Sequence, residues 1–106
     1  MAAAQDVVVQ DEPDKHRFVL LVDGAEAGKV TYRDEDGAVA LLHTEVDDAY
    51  EGQGLGSRLV AETLATVRER GVHVLPYCPF VRAYLKRHQD LWSLVPPDTR
   101  GRFDLT

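Results

Sequence analysis

The pattern with the clearest chemical meaning is a run of three glycines at alternate positions, Gly52, Gly54 and Gly56, directly before a helical pattern. Glycine inside a regular element costs roughly 0.5–1 kcal/mol relative to alanine, so such a run needs a reason. A loop of small residues that leads into a helix leaves several backbone N–H groups unpaired at the positive end of the helix dipole. Such an arrangement binds anions, phosphate above all. The sequence therefore predicts a phosphate-binding loop, to which Ser57 adds a possible hydroxyl donor.

Two common nucleotide-binding motifs do not fit this loop. A P-loop ends in Gly-Lys-Ser/Thr, whereas Gly56 is followed by Ser57 and Arg58. A dinucleotide-binding fold needs its third glycine one residue later and an acidic residue at the end of the next strand. Here that strand ends in the residues LPY at 75–77, with no acid. The alternative is a plain turn in which glycine is needed only because φ is positive. Such a turn explains one glycine well but explains a run of three poorly.

Composition bounds the class of protein. The chain has 106 residues, 44% of them hydrophobic, which suits one compact domain over residues 1–106. Its net charge of −6 argues against nucleic acid as a partner, because phosphate neutralisation needs a basic surface. No apolar run approaches bilayer length and residues 1–5 lack the features of a signal peptide, so we expect no membrane partner and a cytoplasmic location. The single cysteine, Cys78, permits no internal disulfide, and no histidine–carboxylate cluster has a metal-binding spacing, so no metal is expected.

The elements that must position the loop follow from the hydrophobic pattern. Alternation predicts a meander of about four antiparallel strands, and from Leu55 the apolar residues recur at helical spacing until Gly71, which is expected to cap the helix. A second helix is predicted to start near Cys78, with Pro79 at its first position. The result is a mixed α/β domain, mainly an antiparallel sheet with two principal helices. The predicted strands are residues 6–10, 17–22, 28–33, 38–46 and 72–75, and residues 91–106 are predicted to be a packing segment with a tail.

Residues 51–56 (EGQGLG), between a long strand and an amphipathic helix, resemble the pyrophosphate loop of the GNAT N-acetyltransferase superfamily, whose pattern is Gln/Arg-x-x-Gly-x-Gly/Ala. Glu51 stands where Gln or Arg is usual, so its carboxylate is expected to point away or to pair with a cation. The resemblance extends from about residue 28 to residue 91, and includes an Ala-Tyr pair at 83–84 near the end of the second helix. Residues 43–46 (HTEV) with residues 77–81 (YCPFV) are similar to a short, YjdJ-type branch of the superfamily.

This resemblance implies a reduced GNAT-like fold with acetyl-coenzyme A (acetyl-CoA) as co-substrate. The loop amides would hold its pyrophosphate, and the strand end at Glu45 and Val46 would bind the thioester and pantetheine arm through its backbone. Full-length members carry helices between the first two strands that cover the acceptor site, whereas only residues 11–15 fill that interval here, so an open acceptor side is expected. The implied coenzyme-binding residues are Val46, Gly52, Gln53, Gly54, Leu55, Gly56, Ser57 and Arg58.

Acetyl transfer to an amine needs a base for the ammonium proton and an acid for the departing thiolate. His43 and Glu45 lie two residues apart on a strand and therefore share a face, so either is a candidate base, with an inert surface pair as the alternative. By resemblance Tyr84 is the general acid. However, it lies on the apolar face of the predicted second helix, which is as typical of a tyrosine in the hydrophobic core. Cys78, at a predicted helix N-terminus that stabilises a thiolate, is either a nucleophile that is acetylated first or a small buried apolar group.

The sequence thus predicts an acetyl-CoA-binding N-acetyltransferase. Direct attack by the amine is the first mechanism, with His43 or Glu45 as base and Tyr84 as acid, and an acetyl-enzyme on Cys78 is the second. The acceptor is predicted only as an amine, on a small molecule or on a protein. One alternative is a non-catalytic coenzyme-binding or interaction module that keeps the loop, and another is an unrelated mixed domain whose glycines are structural.

Overall fold

A five-stranded sheet carries the fold in the computed structural model, which describes residues 6–106. The strand order is β1-β2-β3-β4-β5, with the first four strands antiparallel and β5 parallel to β4. This confirms the predicted mainly antiparallel sheet with two principal helices. The strands are β1 Val7–Glu12, β2 Arg17–Val22, β3 Ala25–Glu35, β4 Ala38–Val46 and β5 His73–Pro76. The helices are α1 Leu55–Glu69 and α2 Pro79–Lys86.

Two tight turns set the register of the β2–β3–β4 meander. Asp23 and Gly24 have φ angles of 50° and 84°, and Asp36 and Gly37 have φ angles of 48° and 80°. Positive φ at both central residues is the mark of a type I′ turn, whose twist matches that of the flanking strands. The strands therefore pair right up to the turns, which is why β3 is longer than the predicted residues 28–33.

A β-bulge in β4 separates this strand into two parts. The pairing of β4 with β3 shifts so that Thr31 lies opposite His43 while Tyr32 lies opposite Leu41, which leaves Leu42 without a partner. Before the bulge, β4 pairs with β5. At the bulge the Cys78 N–H donates to the Leu41 carbonyl at 2.9 Å, and the chain then turns away into α2. The second half of β4 consequently has β3 on one side and an opening on the other.

Helix α1 follows the glycine loop and packs across all five strands. It begins after Gly54. At its end two hydrogen bonds cap the helix: the Gly71 N–H donates to the Arg68 carbonyl, and the Val72 N–H donates to the Val67 carbonyl. Gly71 has a φ of 71°, as a residue that follows a helix in this capping geometry requires. No helix within residues 6–106 is both long and apolar enough to cross a membrane. The buried face of α1 consists of Leu55, Leu59, Val60, Thr63, Leu64 and Val67.

The remaining connections are short 3-10 turns. Only Pro13–Lys15 joins β1 to β2, so no covering helix lies in this interval, as the sequence indicates. Three further turns after α2, over Gln89–Leu94, Pro97–Thr99 and Gly101–Phe103, form the predicted packing segment. Its buried apolar side chains are Leu94, Val95, Phe103 and Leu105.

Candidate functional site

A cavity of about 810 Å³ lies where the second half of β4 meets the glycine loop and the starts of both helices. Its wall is formed by residues 26–29 of β3, residues 44–46 at the end of β4, loop residues 47, 48, 50–52 and 54, residues 55–57 at the start of α1, and Phe80 of α2. The bulge in β4 is what creates this space, because it releases β5 from β4 before the strand ends.

A row of unpaired backbone N–H groups lies in the loop that borders this cavity. Arg58 is the first residue of α1 whose N–H has a helical partner, the Gly54 carbonyl at 3.2 Å. Within residues 6–106, the N–H groups of residues 52–57 donate to no protein acceptor. Gly52 and Gly54 have φ angles of 81° and 73°, which favour glycine, and no atom lies within 4 Å of where a Cβ would be on either residue. Six consecutive donors, with open space beside Gly52 and Gly54, are an arrangement that can bind a diphosphate group.

The charges around the cavity are mostly negative. One lysine, Lys29, lines it together with five acidic residues. Glu51 is exposed and lines the cavity, and in the described part of the chain it forms no ion pair, so of the two expected arrangements the pairing with a cation is not seen. An anion bound here is therefore attracted by amides and helix dipole and repelled by carboxylates. The acidic residues are Glu26, Glu45, Asp47, Asp48 and Glu51.

The end of β4 presents a free backbone edge to the cavity. The Asp47 N–H donates to the Ala27 carbonyl of β3 at 2.7 Å, and alternate residues of an antiparallel strand face the same neighbour. The Val46 N–H therefore points away from β3 and towards the opening. Gly28 lies opposite Val46, and a Cβ on Gly28 would lie 2.7 Å from the Glu45 carbonyl oxygen. Only glycine allows β3 to approach the end of β4 so closely.

The two candidate bases lie together, as the alternation predicts. His43 Nε2 is 3.0 Å from Glu45 Oε1, and Lys29 Nζ is 3.8 Å from the other carboxylate oxygen of Glu45. The side chains of His43 and Glu45 are 63% and 56% exposed, so both are open to solvent and to an incoming acceptor. Glu45 lines the cavity, whereas His43 lies beside it.

Cys78 lies on the other side of the strand from this pair. It is the N-cap residue of α2 and only 2% exposed. Its Sγ is 3.1 Å from the hydroxyl oxygen of Thr44, and Thr44 lines the cavity. Because Thr44 alternates with His43 and Glu45, the thiol and the candidate bases approach the end of β4 from opposite faces of the sheet.

Three other residues named from the sequence lie away from the cavity wall. Tyr84 is buried, and its ring stacks on His88 with centroids 4.0 Å apart. Arg58 is exposed and pairs with Glu62 at 2.7 Å, and Gln53 is exposed in the loop. None of these three side chains lines the cavity.

Thr44 and Phe80 are among the cavity-lining residues that were not singled out as candidate site residues from the sequence. Thr44 and Phe80 belong to the HTEV and YCPFV segments, but their types carry no chemical signal by themselves. Their closeness depends on the bulge in β4 and on the start of α2, which lie more than thirty residues apart in the chain. Among residues 6–106, no group of three or more His, Cys, Asp or Glu side chains is arranged to hold a metal ion.

Comparison with protein families gives a match over most of the chain. A family model described as GCN5-related N-acetyl-transferase matches residues 17–101. No sequence match was found among curated proteins.

Three solved structures are similar in fold. A GCN5-like protein of Staphylococcus aureus superposes with a TM-score of 0.64 at 20% identity, covering 84% of this chain and 87% of that one. The ribosomal-protein-S18-alanine N-acetyltransferase of Escherichia coli has a TM-score of 0.51 at 27% identity, covering 55% of this chain and 38% of that one. A GNAT family acetyltransferase of Brucella melitensis in complex with acetyl-CoA has a TM-score of 0.50 at 26% identity, covering 64% of this chain and 50% of that one. The chain therefore spans half or less of the latter two proteins.

Proposed function

The chain belongs to the GCN5-related N-acetyltransferase family, and from this premise we propose that it binds acetyl-CoA and transfers the acetyl group to an amine. The observation that carries the proposal is the row of unpaired N–H groups at residues 52–57, beside a cavity that opens at the free edge of β4. A relative of similar fold in complex with acetyl-CoA supports the choice of ligand. We further propose a short, single-domain member of the YjdJ-type branch.

Different groups of the protein would bind different parts of acetyl-CoA. The amides of residues 52–57 would hold the diphosphate, and the free Val46 N–H would donate a hydrogen bond to a carbonyl oxygen of the pantetheine arm or thioester. Ser57 lines the cavity and adds a hydroxyl, and Leu55 adds an apolar wall. Acetyl-CoA supplies an acetyl group activated as a thioester.

Direct transfer is the first mechanism. The His43–Glu45 pair is exposed beside the cavity, so it would take the proton of an incoming ammonium group, with Glu45 orienting the imidazole across 3.0 Å. The amine nitrogen then forms a bond to the acetyl carbon and the carbon–sulfur bond breaks. The nitrogen loses a proton as it becomes an amide and the departing thiolate gains one, so CoA leaves as a thiol. Tyr84, which is buried and stacked on His88, is the proposed acid for this last step.

An acetyl-enzyme is the second mechanism. Cys78 Sγ would form a bond to the acetyl carbon while the carbon–sulfur bond to CoA breaks, and the thiol proton would leave with CoA. The amine would then take the acetyl group and restore the thiol. The Thr44 hydroxyl at 3.1 Å would hold the sulfur in place. Replacing Cys78 by alanine separates the routes, because the covalent route predicts near-total loss of transfer and the direct route little change.

The acceptor is proposed to be an amine on a small molecule or on a protein. Only Pro13–Lys15 joins β1 and β2, and the exposed His43–Glu45 pair has no covering helix, so bulky acceptors have access. The leading rival is a non-catalytic coenzyme-binding or interaction module. Binding of acetyl-CoA without turnover over a broad panel of amines, including peptides with free amino termini or lysines, would favour that module.

Calorimetric titration with acetyl-CoA and with CoA tests the central proposal. We expect micromolar binding by the wild type and strongly weakened binding by Gly54→Ala. Gly37→Ala is the matched control, because Gly37 also has a positive φ, 80° against 73°, and also has no atom within 4 Å of a Cβ position. Both variants carry the same backbone strain, but Gly37 lies in the β3–β4 turn and does not line the cavity. Equal weakening in both variants, or no binding at millimolar ligand, would overturn the proposal.

A further inference from the structure

One aromatic side chain crosses the space between the starts of the two helices. Phe80, in the first turn of α2, lines the cavity and is 42% exposed. Its Cζ lies 2.9 Å from the position that a Cβ on Gly56 would take, and Val46 Cγ2 lies 3.4 Å from the same position. The ring of Phe80, the start of α1 and the end of β4 thus meet at one point.

Such exposure is unusual in this molecule. Among the described residues, Val8 of β1 is the other large apolar side chain with comparable exposure. A half-exposed phenylalanine forgoes part of the stabilisation that burial of its ring would give. Phe80 therefore has apolar surface available for a ligand in the cavity.

The position of the ring indicates which part of the ligand it would contact. Gly56 belongs to the row of amides proposed for the diphosphate, and Val46 carries the free N–H proposed for the arm. A chain that is held at both residues must pass the ring, because both residues adjoin it. The diphosphate gains nothing from a phenyl ring, whereas the uncharged methylene and amide groups of a pantetheine arm pack well against one.

We propose that Phe80 is a positioning residue for the acyl-pantetheine arm: its ring turns away from Gly56 when the coenzyme binds and packs along the arm. This inference rests on the proposed function. It also gives Gly56 a second role, since a side chain there would collide with the ring and narrow the passage. Half exposure leaves the ring room to rotate about its side-chain bonds.

Two ligands that share a diphosphate but differ in the arm test this inference. We expect Phe80→Ala to weaken acetyl-CoA binding about tenfold, as loss of a buried apolar contact of this size would. Binding of ADP, which lacks the arm, should be unchanged. Phe80→Leu should give an intermediate loss for acetyl-CoA, and the control Val8→Ala should change neither ligand. Titrations followed by the amide resonances of uniformly ¹⁵N-labelled protein report both affinities and the integrity of the fold in one experiment.

The outcomes distinguish this inference from the proposed function. Equal weakening of ADP and acetyl-CoA would show that Phe80 only supports the loop, and unchanged affinity for both would show that the ring does not contact the arm. Either result overturns the role of Phe80 and leaves acetyl-CoA binding intact. A wild-type protein that binds neither ligand overturns the proposed function and this inference with it.

Discussion

At the scale of single residues, Glu51 is the side chain that opposes the proposed binding loop most directly. It lines the cavity beside the row of amides, and it forms no ion pair with the described residues. Replacing Glu51 by Gln should tighten acetyl-CoA binding about fivefold, because removing one charge a few ångströms from a diphosphate relieves roughly 1 kcal/mol. The gain should shrink at high ionic strength, since salt screens exposed charges. Calorimetric titrations at low and high salt measure both effects.

Asp98→Asn is the control for this substitution. Asp98 is exposed and does not line the cavity, so the variant changes the net charge of the protein equally without changing the loop. An equal gain in affinity from both variants would trace the effect to net charge. No gain from Glu51→Gln would indicate that its carboxylate points away from the bound diphosphate.

The sequence predicts local relations between residues better than distant ones. Alternation along one strand is sufficient to place His43 and Glu45 on a common face, and their side chains lie 3.0 Å apart. The contact of Thr44 with Cys78 joins positions 34 residues apart and depends on the bulge at Leu42, for which the sequence has no evident signal. The roles of all these residues in catalysis stay predictions.

At the scale of elements, α1 contains one buried hydroxyl group that forms no hydrogen bond with any described residue. Thr63 lies on the buried face of the helix, is fully buried, and its hydroxyl has no hydrogen-bond partner in the described part of the chain. A buried hydroxyl without a partner loses its hydration with no compensation. Replacing Thr63 by Val keeps the shape and removes this group, so the free energy of unfolding should rise by about 1 kcal/mol in urea titrations. A loss of stability would mean that the hydroxyl has a partner in solution, such as a buried water.

Tyr32 joins three elements through one carboxylate. Its hydroxyl donates to Asp11 Oδ1 at 2.7 Å, and Arg70, just after α1, donates to Asp11 Oδ2 at 2.7 Å. The contact thus links β3, β1 and the end of α1. Replacing Tyr32 by Phe should lower the free energy of unfolding by about 1–2 kcal/mol, because a buried hydrogen bond to a charged group is lost.

Because of the same contact, part of the free energy of unfolding should be lost at alkaline pH. Burial of the ring and the hydrogen bond to Asp11 raise the pKa of Tyr32 above its ordinary value of 10.0. The folded state therefore favours the protonated phenol, so this contribution is fully present below pH 10 and is lost as the pH rises above it. The difference in unfolding free energy between wild type and Tyr32→Phe should be constant from neutral pH to about 10 and should fall beyond that. A difference that stays constant to higher pH would contradict this role of the phenol.

The sequence predicts the elements themselves well and their ends less well. The predicted strand over residues 38–46 matches β4, because an apolar run that continues as alternating residues is bounded by Gly37 and Asp47. The first strand was predicted over residues 6–10 but runs over Val7–Glu12. Its last two residues are acidic and look like loop, yet Asp11 bonds Tyr32 and Glu12 pairs with Arg17, which keeps them in the strand. Such tertiary contacts override a local pattern that is polar.

At the scale of the whole molecule, the proposed site lies where β4 and β5 have separated beyond the bulge, so a bound ligand would contact elements that do not pair with one another there. The end of β4, the start of α1 and the start of α2 line one cavity, and β4 and β5 do not pair beyond Leu41 and Pro76. A domain of 106 residues has limited stability, so a ligand that binds all three elements should affect it strongly. Binding of the proposed ligand would therefore be coupled to folding.

This coupling predicts a large thermal effect. Acetyl-CoA at a hundred times its Kd should stabilise the folded state by about 2.7 kcal/mol, which in a domain of this size corresponds to roughly 10–20 °C in Tm. Scanning calorimetry over a series of ligand concentrations should give a Tm that rises with the logarithm of concentration. Gly54→Ala should need a higher concentration for the same shift, whereas Gly37→Ala should start from a similarly lowered Tm and respond like the wild type. A Tm that is constant up to millimolar acetyl-CoA would mean that the six free N–H groups at residues 52–57 bind no diphosphate, and that the glycines serve the turn alone.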